Sequence, residues 1–246
     1  MVDPNLDNKQ HELTNVPKLE VDVTVSTASV IITHPENPYR ILVAHNAKHN
    51  KPVIIGGKVE VAGYGLLESV VDPDSILSED ERLALATAYQ EAWEEAVADD
   101  KKAKDVTGIL SQMQGMWTQA PRYIGKANDP NRDVRTVPFK KVKAALIEPP
   151  RGNFDPENKL TDDTLVTARY GTPDSIYIGT MNPDLLGSTE EMGDFHYIDI
   201  RELSLGGLGA GHDVIVLRYR EMLEKGDTTI PDSSMVDFDQ ARKELI

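Results

Sequence analysis

The sequence predicts an α/β fold, a β-sheet sandwiched between helices, on three observations. Val21, Val23 and Val25 alternate with Asp22, Thr24 and Ser26, the two-residue period of a strand with one buried face. Ser78 and Glu81 have the form of a capping box, and behind them Leu85, Ala88, Tyr89, Ala92 and Ala96 recur at helical spacing. Several short apolar runs then precede one last apolar helical segment, from about His212 to Glu224.

Taken in order, residues 1–18 are polar with scattered charge and read as an N-terminal arm, either flexible or a strand that pairs in a homodimer. The alternation from Val21 runs on, apolar, through Ile31 and Ile32, and reads as one long strand. Arg40 to His45 is its neighbour across the Pro35-Glu36-Asn37-Pro38 turn. Pro52-Val53-Ile54-Ile55 is a short strand that Gly56-Gly57 turns. A helix follows from about Ser78 to Asp99. Further strands are expected at Met116 to Ile124, Val142 to Ile147, Ser175 to Thr180 and Phe195 to Ile200, with a loop from Arg151 to Thr164. The glycine run Gly206 to Gly211 lacks the lysine of a phosphate-binding loop and reads as flexible, with His212 capping or packing against the helix it opens. Trp93 and Trp117 read as core. One domain, 19–226, is thus expected between the arm and a C-terminal extension, 227–246.

Composition narrows the function. The chain of 246 residues carries 26 Lys and Arg against 41 Asp and Glu, a net charge of −15, which opposes binding to nucleic acid or anionic membrane. No apolar run is long enough to span a bilayer, and Met1 to Pro17 is unlike a signal or transit peptide, so a cytoplasmic protein is expected. With no cysteine, any metal site must use oxygen or imidazole ligands. An anionic small-molecule substrate would need local positive charge or a metal. Arg122, Lys126, Arg132 and Arg135 form one basic stretch that offers it.

The most informative segment is Gln90-Glu91-Ala92-Trp93-Glu94-Glu95-Ala96-Val97. A helix advances about 100° per residue, so Glu91, Glu94 and Glu95 project from one narrow face. Carboxylates that close repel one another, and a hard cation such as Mg²⁺ removes the repulsion. A solvated acidic face is the other reading. Upstream, Gly57 allows a ligand close to the backbone.

These residues resemble the box of the Nudix hydrolases: Gly, five residues, Glu, seven residues, then Arg-Glu-apolar-any-Glu-Glu-any-Gly-apolar. Glu91, Ala92, Glu94, Glu95 and Ala98 match the second half, and Gly57 matches the opening glycine. Gln90 stands at the arginine, Val97 at the late glycine and Gly63 at the first glutamate. An insertion of roughly Tyr64 to Ser78 is needed to span the gap. A second patch, Pro121-Arg122-Tyr123-Ile124-Gly125 with Asn128-Asp129-Pro130-Asn131-Arg132-Asp133-Val134-Arg135-Thr136, is similar to a segment of the mitochondrial-type ADP-ribose pyrophosphatases. A third, Phe195 to Ile200 with Leu203 and His212, is similar to that branch's closing strand, loop and helix.

The resemblance implies a Nudix-type α/β/α sandwich with a mixed β-sheet. It implies Mg²⁺ or Mn²⁺ held by Glu91, Glu94 and Glu95, with Gly57 a further ligand, and hydrolysis of ADP-ribose to AMP and ribose 5-phosphate. Arg122, Tyr123, Asp129, Arg132, Asp133 and Arg135 are the residues it points to for substrate. The general base is sought in a loop, at Glu190 or Glu191, two acids whose other reading is plain surface charge. A binding domain that keeps the arginine patch but has lost turnover, and a Nudix enzyme for NADH, dinucleoside polyphosphates or capped RNA, are the alternatives.

Overall fold

A computed structural model describes residues 19–46, 49–59, 70–71, 77–143 and 161–226, and of Asp22, Thr24, residues 128–133, Tyr170 and Thr172 the backbone alone. The arm expected at 1–18, the extension at 227–246 and most of the insertion before Ser78 lie outside the described residues. The fold class is the expected one, α/β with a mixed sheet. The chain divides into two compact units, Ser26–Asp129 with Thr172–Ile246, and Met1–Val25 with Pro130–Gly171.

In the larger unit, strand β2 (Thr27–His34) is buried along both faces, which is why Ala28 to Ile32 reads as a nearly unbroken apolar run. It pairs antiparallel with β3 (Asn37–Asn46) and with β4 (Ile55–Lys58). Along its other edge it runs parallel to the end of β6 (Leu165–Met181), from Thr27 beside Asp174 to Ile32 beside Gly179. Strand β7 (Met192–Asp199) closes antiparallel on β3. Strand β5 (Trp117–Pro138) pairs with β6, and Thr118 Oγ1 donates to the Thr180 carbonyl at 2.8 Å.

Helix α1 (Glu79–Ala96) covers one face. Ser78 accepts the Glu81 N–H while Glu81 accepts the Ser78 N–H at 2.8 Å, so the capping box forms as read. Ala84, Ala88, Ala92 and Ala96 make a row of small side chains that lets the helix lie close on Ala28, Val30, Leu42 and Ala44. Helix α3 (His212–Lys225) covers the other face, with Val214, Ile215, Tyr219 and Met222 against Ile31, Ile41, Val43 and Ile176. Each such aliphatic side chain, fully buried, stabilises by about 1.5–3 kcal/mol over an exposed one. Among the described residues no helix is long and apolar enough to cross a membrane.

The smaller unit has its own core. Strand β1 (Glu20–Thr24) runs parallel to the start of β6, from Glu20 beside Thr167 to Thr24 beside Gly171. Leu19, Val21, Val23, Val142, Val166 and Ala168 pack together there.

The sequence reading needs four corrections. The expected long strand from Val21 to Ile32 is two, β1 and β2, broken at Val25 and Ser26; both run parallel to β6, and β2 pairs in addition with β3 and β4. Gly56 and Gly57 lie within strand β4 and make no turn. Val142 and Lys143 are not in a strand: Phe139–Lys141 is a 3-10 turn whose closing N–H, from Val142, donates to the Phe139 carbonyl at 3.0 Å, while residues 144–147 of the expected strand and 151–160 of the expected loop lie outside the described residues. Finally, helix α2 (Val106–Gly115) was not foreseen. It is short and holds Gly108, which narrows the window in which a helical period can show, although Met113 buries against Val71 and Ala86 with Ile109 beside it. Its cap, Asp105 accepting the Gly108 N–H at 2.9 Å, and the i, i+4 spacing of Ile109 and Met113 are the signals that mark it.

Candidate active site

Strand β4 explains both glycines. A Cβ on Gly56 would lie 2.7 Å from the Ala28 carbonyl oxygen and 2.8 Å from Ser29 Cα, so the neighbouring strand requires glycine there. A Cβ on Gly57 would lie 2.0 Å from Glu91 Oε1, so at 57 a carboxylate occupies the place a side chain would take. One turn along α1, Glu95 is only 6% exposed, and its Oε2 accepts the Gly56 N–H at 3.2 Å. Two helix carboxylates therefore seat on two consecutive glycines of one strand.

Burying a carboxylate is costly unless donors or a cation compensate it. A merely solvated acidic face does not do this, so that reading suits Glu94 alone. Glu94 is exposed, and its Oε1 accepts from Gln90 Nε2 at 2.7 Å. Among the described residues no three His, Asp or Glu side chains are grouped closely enough to hold a metal. The donor set on hand is Glu91, Glu95 and the main chain of Gly57, all oxygen, which suits a hard divalent cation. The cradle at Gly57, which any Cβ would fill, fits such a use. Behind the strand, Ser29 Oγ donates to buried Asp174 at 2.8 Å. The sequence reading starts its strand at Ser175 and so leaves that acid out, whereas β6 begins at Leu165.

The loop with Glu190 and Glu191 is stitched to the end of α1. The Ala98 N–H donates to the Leu185 carbonyl at 2.9 Å, the Gly187 N–H to the Ala96 carbonyl at 3.2 Å, and Thr189 Oγ1 to the Glu95 carbonyl at 3.4 Å. Thr189 Oγ1 in turn accepts the Glu191 N–H at 3.3 Å. Both acids are exposed, one and two residues from the threonine that touches Glu95.

The second patch is divided. Tyr123 packs on the α1 side, its ring 5.6 Å from that of Tyr177 and edge-on. Burial raises the Tyr177 hydroxyl well above its ordinary value, and it donates to the Glu81 carbonyl at 3.1 Å. Arg122 is exposed, and its charge acts on Tyr219 of α3, on the opposite face; burial nonetheless carries the Tyr219 hydroxyl up to about 12. Alternation breaks at Gly125, whose φ is 149°, so that Ile124 and Ala127 both join the α3-side core. The charge of Lys126 is felt instead by Glu81, on the α1 side. Asp129 belongs to the larger unit, and Arg132, Asp133 and Arg135 to the smaller. The side chains of Asp129, Arg132 and Asp133 lie outside the described residues, and Arg135 is exposed.

No protein-family model matches the chain, and no curated protein matches it. Solved structures with a loosely similar course of chain include a MutT/nudix family protein from Enterococcus faecalis, at TM-score 0.38 and 9% identity over 99% of this chain and 88% of that one. A NUDIX hydrolase from Alicyclobacillus acidocaldarius overlaps at TM-score 0.32 and 14% identity, covering 90% of this chain and 91% of that one. A bifunctional NMN adenylyltransferase/ADP ribose pyrophosphatase from Francisella tularensis overlaps at TM-score 0.32 and 10% identity over 87% of this chain, which spans 45% of that larger protein. Overlaps this loose carry no statement about activity.

Proposed function

We propose that this protein is a Nudix-type hydrolase that uses a divalent metal to cleave the diphosphate of a nucleoside diphosphate derivative, with ADP-ribose as substrate and AMP and ribose 5-phosphate as products. The observation that carries the reading is the seating of Glu91 and Glu95 on Gly57 and Gly56. An α-helix acid that gives up water for a backbone N–H in a glycine cradle is built for more than solubility.

Glu91, Glu95 and the Gly57 carbonyl would hold Mg²⁺ or Mn²⁺, joined by Glu94 once it leaves Gln90. Such a cation, when bound, stabilises charge developing on the diphosphate and orients water. The chain's own contribution is position: α1 fixes three carboxylates, β4 fixes the backbone beside them, and the stitched loop keeps Glu190 and Glu191 near the same helix end as candidate bases. Tyr123, on the α1 side of the larger unit, is the proposed aromatic contact for the substrate.

The test is to incubate the purified protein with Mg²⁺ and ADP-ribose, NADH, diadenosine polyphosphates or capped RNA, and to separate products by ion exchange, with Glu95→Gln as control. AMP released chiefly from ADP-ribose, and absent in the control, is the expected result. Saturable ADP-ribose binding without turnover would favour the second reading, a binding domain, which the Gln90–Glu94 hydrogen bond and the lack of a closed acid triad among the described residues support.

A further inference from the structure

We infer that His212 is a positioning residue for this site: its imidazole Nδ1, by accepting the buried Ile54 N–H, anchors the strand that presents Gly56 and Gly57 to Glu95 and Glu91. The inference rests on the metal-site reading above and adds a residue to it from the opposite face of the sheet.

The Ile54 N–H donates to His212 Nδ1 at 3.1 Å, two residues before Gly56, and His212 is 8% exposed. The flanking residue is already committed: Val53 exchanges both main-chain hydrogen bonds with Ala44, at 2.9 and 3.0 Å. The Ile54 N–H meets the imidazole in place of a strand carbonyl, and a buried N–H must find an acceptor. The imidazole provides one, so its proton sits on Nε2.

The glycine run before α3 delivers that imidazole. Gly206 and Gly211 have φ of 80° and 76°, and Ala210, which is not glycine, has 56°; an alanine persists in this region only where its surroundings hold it there. The loop is tied down on both sides. The Gly206 N–H donates to Asp213 Oδ2 and Lys51 Nζ to the Gly206 carbonyl, each at 2.5 Å, and the Gly209 N–H donates to the Pro52 carbonyl at 2.8 Å. A Cβ on Gly209 would lie 3.1 Å from Val53 Cγ1 and 3.3 Å from the Lys51 carbonyl. The run read from sequence as a flexible loop is thus a clamp on residues 51–54, and His212 is its last contact before the site strand.

The acceptor can be moved without emptying the pocket. In His212→Asn, Oδ1 stands the same number of bonds from Cβ as Nδ1 does; in His212→Gln it is one bond too far, and in His212→Leu it is gone. Two readouts are measured on the full chain: amide hydrogen exchange at Ile54 and Gly56, and Mn²⁺ affinity by electron paramagnetic resonance. In the Leu and Gln variants, exchange at both amides should rise and Mn²⁺ affinity should fall by at least about tenfold, the order seen when a ligand's supporting partner is lost. The Asn variant should keep both. Unchanged exchange at Ile54 and Gly56 in Leu and Gln overturns the inference, as does an Asn variant as impaired as Leu, since packing volume and not the acceptor would then matter. If Leu does not fold, the Asn and Gln pair decides the same question. Absence of Mn²⁺ binding by the unaltered protein would instead overturn the proposed function, while exchange still decides whether His212 anchors the strand.

Discussion

At the scale of single residues, the two glycines of β4 make opposite predictions. Gly56→Ala drives a methyl into backbone atoms of β2, which cannot yield cheaply, so it should lower stability by about 1–3 kcal/mol in urea unfolding. Gly57→Ala meets the end of a side chain, Glu91, which can swing away. It should fold with nearly unchanged stability yet lose most metal affinity and turnover. If the two variants behave alike, the assignment of Gly57 to the site is wrong. Glu95→Gln should cut turnover by at least about 100-fold, as the loss of a charge-stabilising group does, while circular dichroism shows the chain folded. The i, i+3, i+4 acids and the double glycine stand in the sequence, but which acid is buried does not. Glu94 and Glu95 are adjacent and chemically identical, and only packing against β4 makes one exposed and the other 6% exposed.

At the scale of elements, α1 is the best-specified piece. Its capping box predicts that Ser78→Ala costs about 1 kcal/mol. Glu81 adds a pH signature: the Ser78 side-chain hydroxyl, then its backbone N–H, hold the Glu81 carboxyl below its usual value. A carboxyl depressed in the folded state contributes stability above its unfolded pKa of roughly 4.3, and loses it as pH falls through the lower folded value. The stability gap between the unaltered chain and Ser78→Ala should therefore shrink from pH 7 to pH 3, by a modest amount because Glu81 is well solvated. A gap that widens on acidification would contradict the cap. Helix α2 shows the converse. Gln112 accepts from Trp93 Nε1 at 3.1 Å and from the Ala103 N–H at 2.8 Å, and donates to the Lys101 carbonyl at 2.8 Å. That amide adds to the apolar contact of Met113 and Ile109 with Ala86 and Trp93, and a helix of ten residues leaves only a short periodic trace. Gln112→Leu should cost about 2 kcal/mol through the donors it strands, measured as a lower unfolding midpoint.

At the scale of the whole molecule, a net charge of −15 and a carboxylate site make divalent metal the natural stabiliser. A cation bound only by the folded state stabilises it by about 2.7 kcal/mol at one hundred times its dissociation constant, roughly 5–10 °C in melting temperature for a chain of this size. Mg²⁺ should raise the melting temperature by that order, and Glu95→Gln should abolish the rise. Because the chain holds two compact units, each with its own core, the shift should fall on the transition of the unit that carries α1 and β4.

The sequence by itself determined the local features: the capped helix, the acids on one face of it, the strand-like runs and the exclusion of thiolate from any metal site. Each depends on residues a few positions apart, where period and capping chemistry decide the outcome. Tertiary structure alone decided the rest. It put Gly56 in a strand by pairing it with Ser29, split the run from Val21 to Ile32 between two units, and turned Arg122 toward α3 while Tyr123 faced α1. It also brought His212 onto Ile54 across 158 positions. These depend on which backbone groups find partners far along the chain, and that has no period in the sequence to betray it.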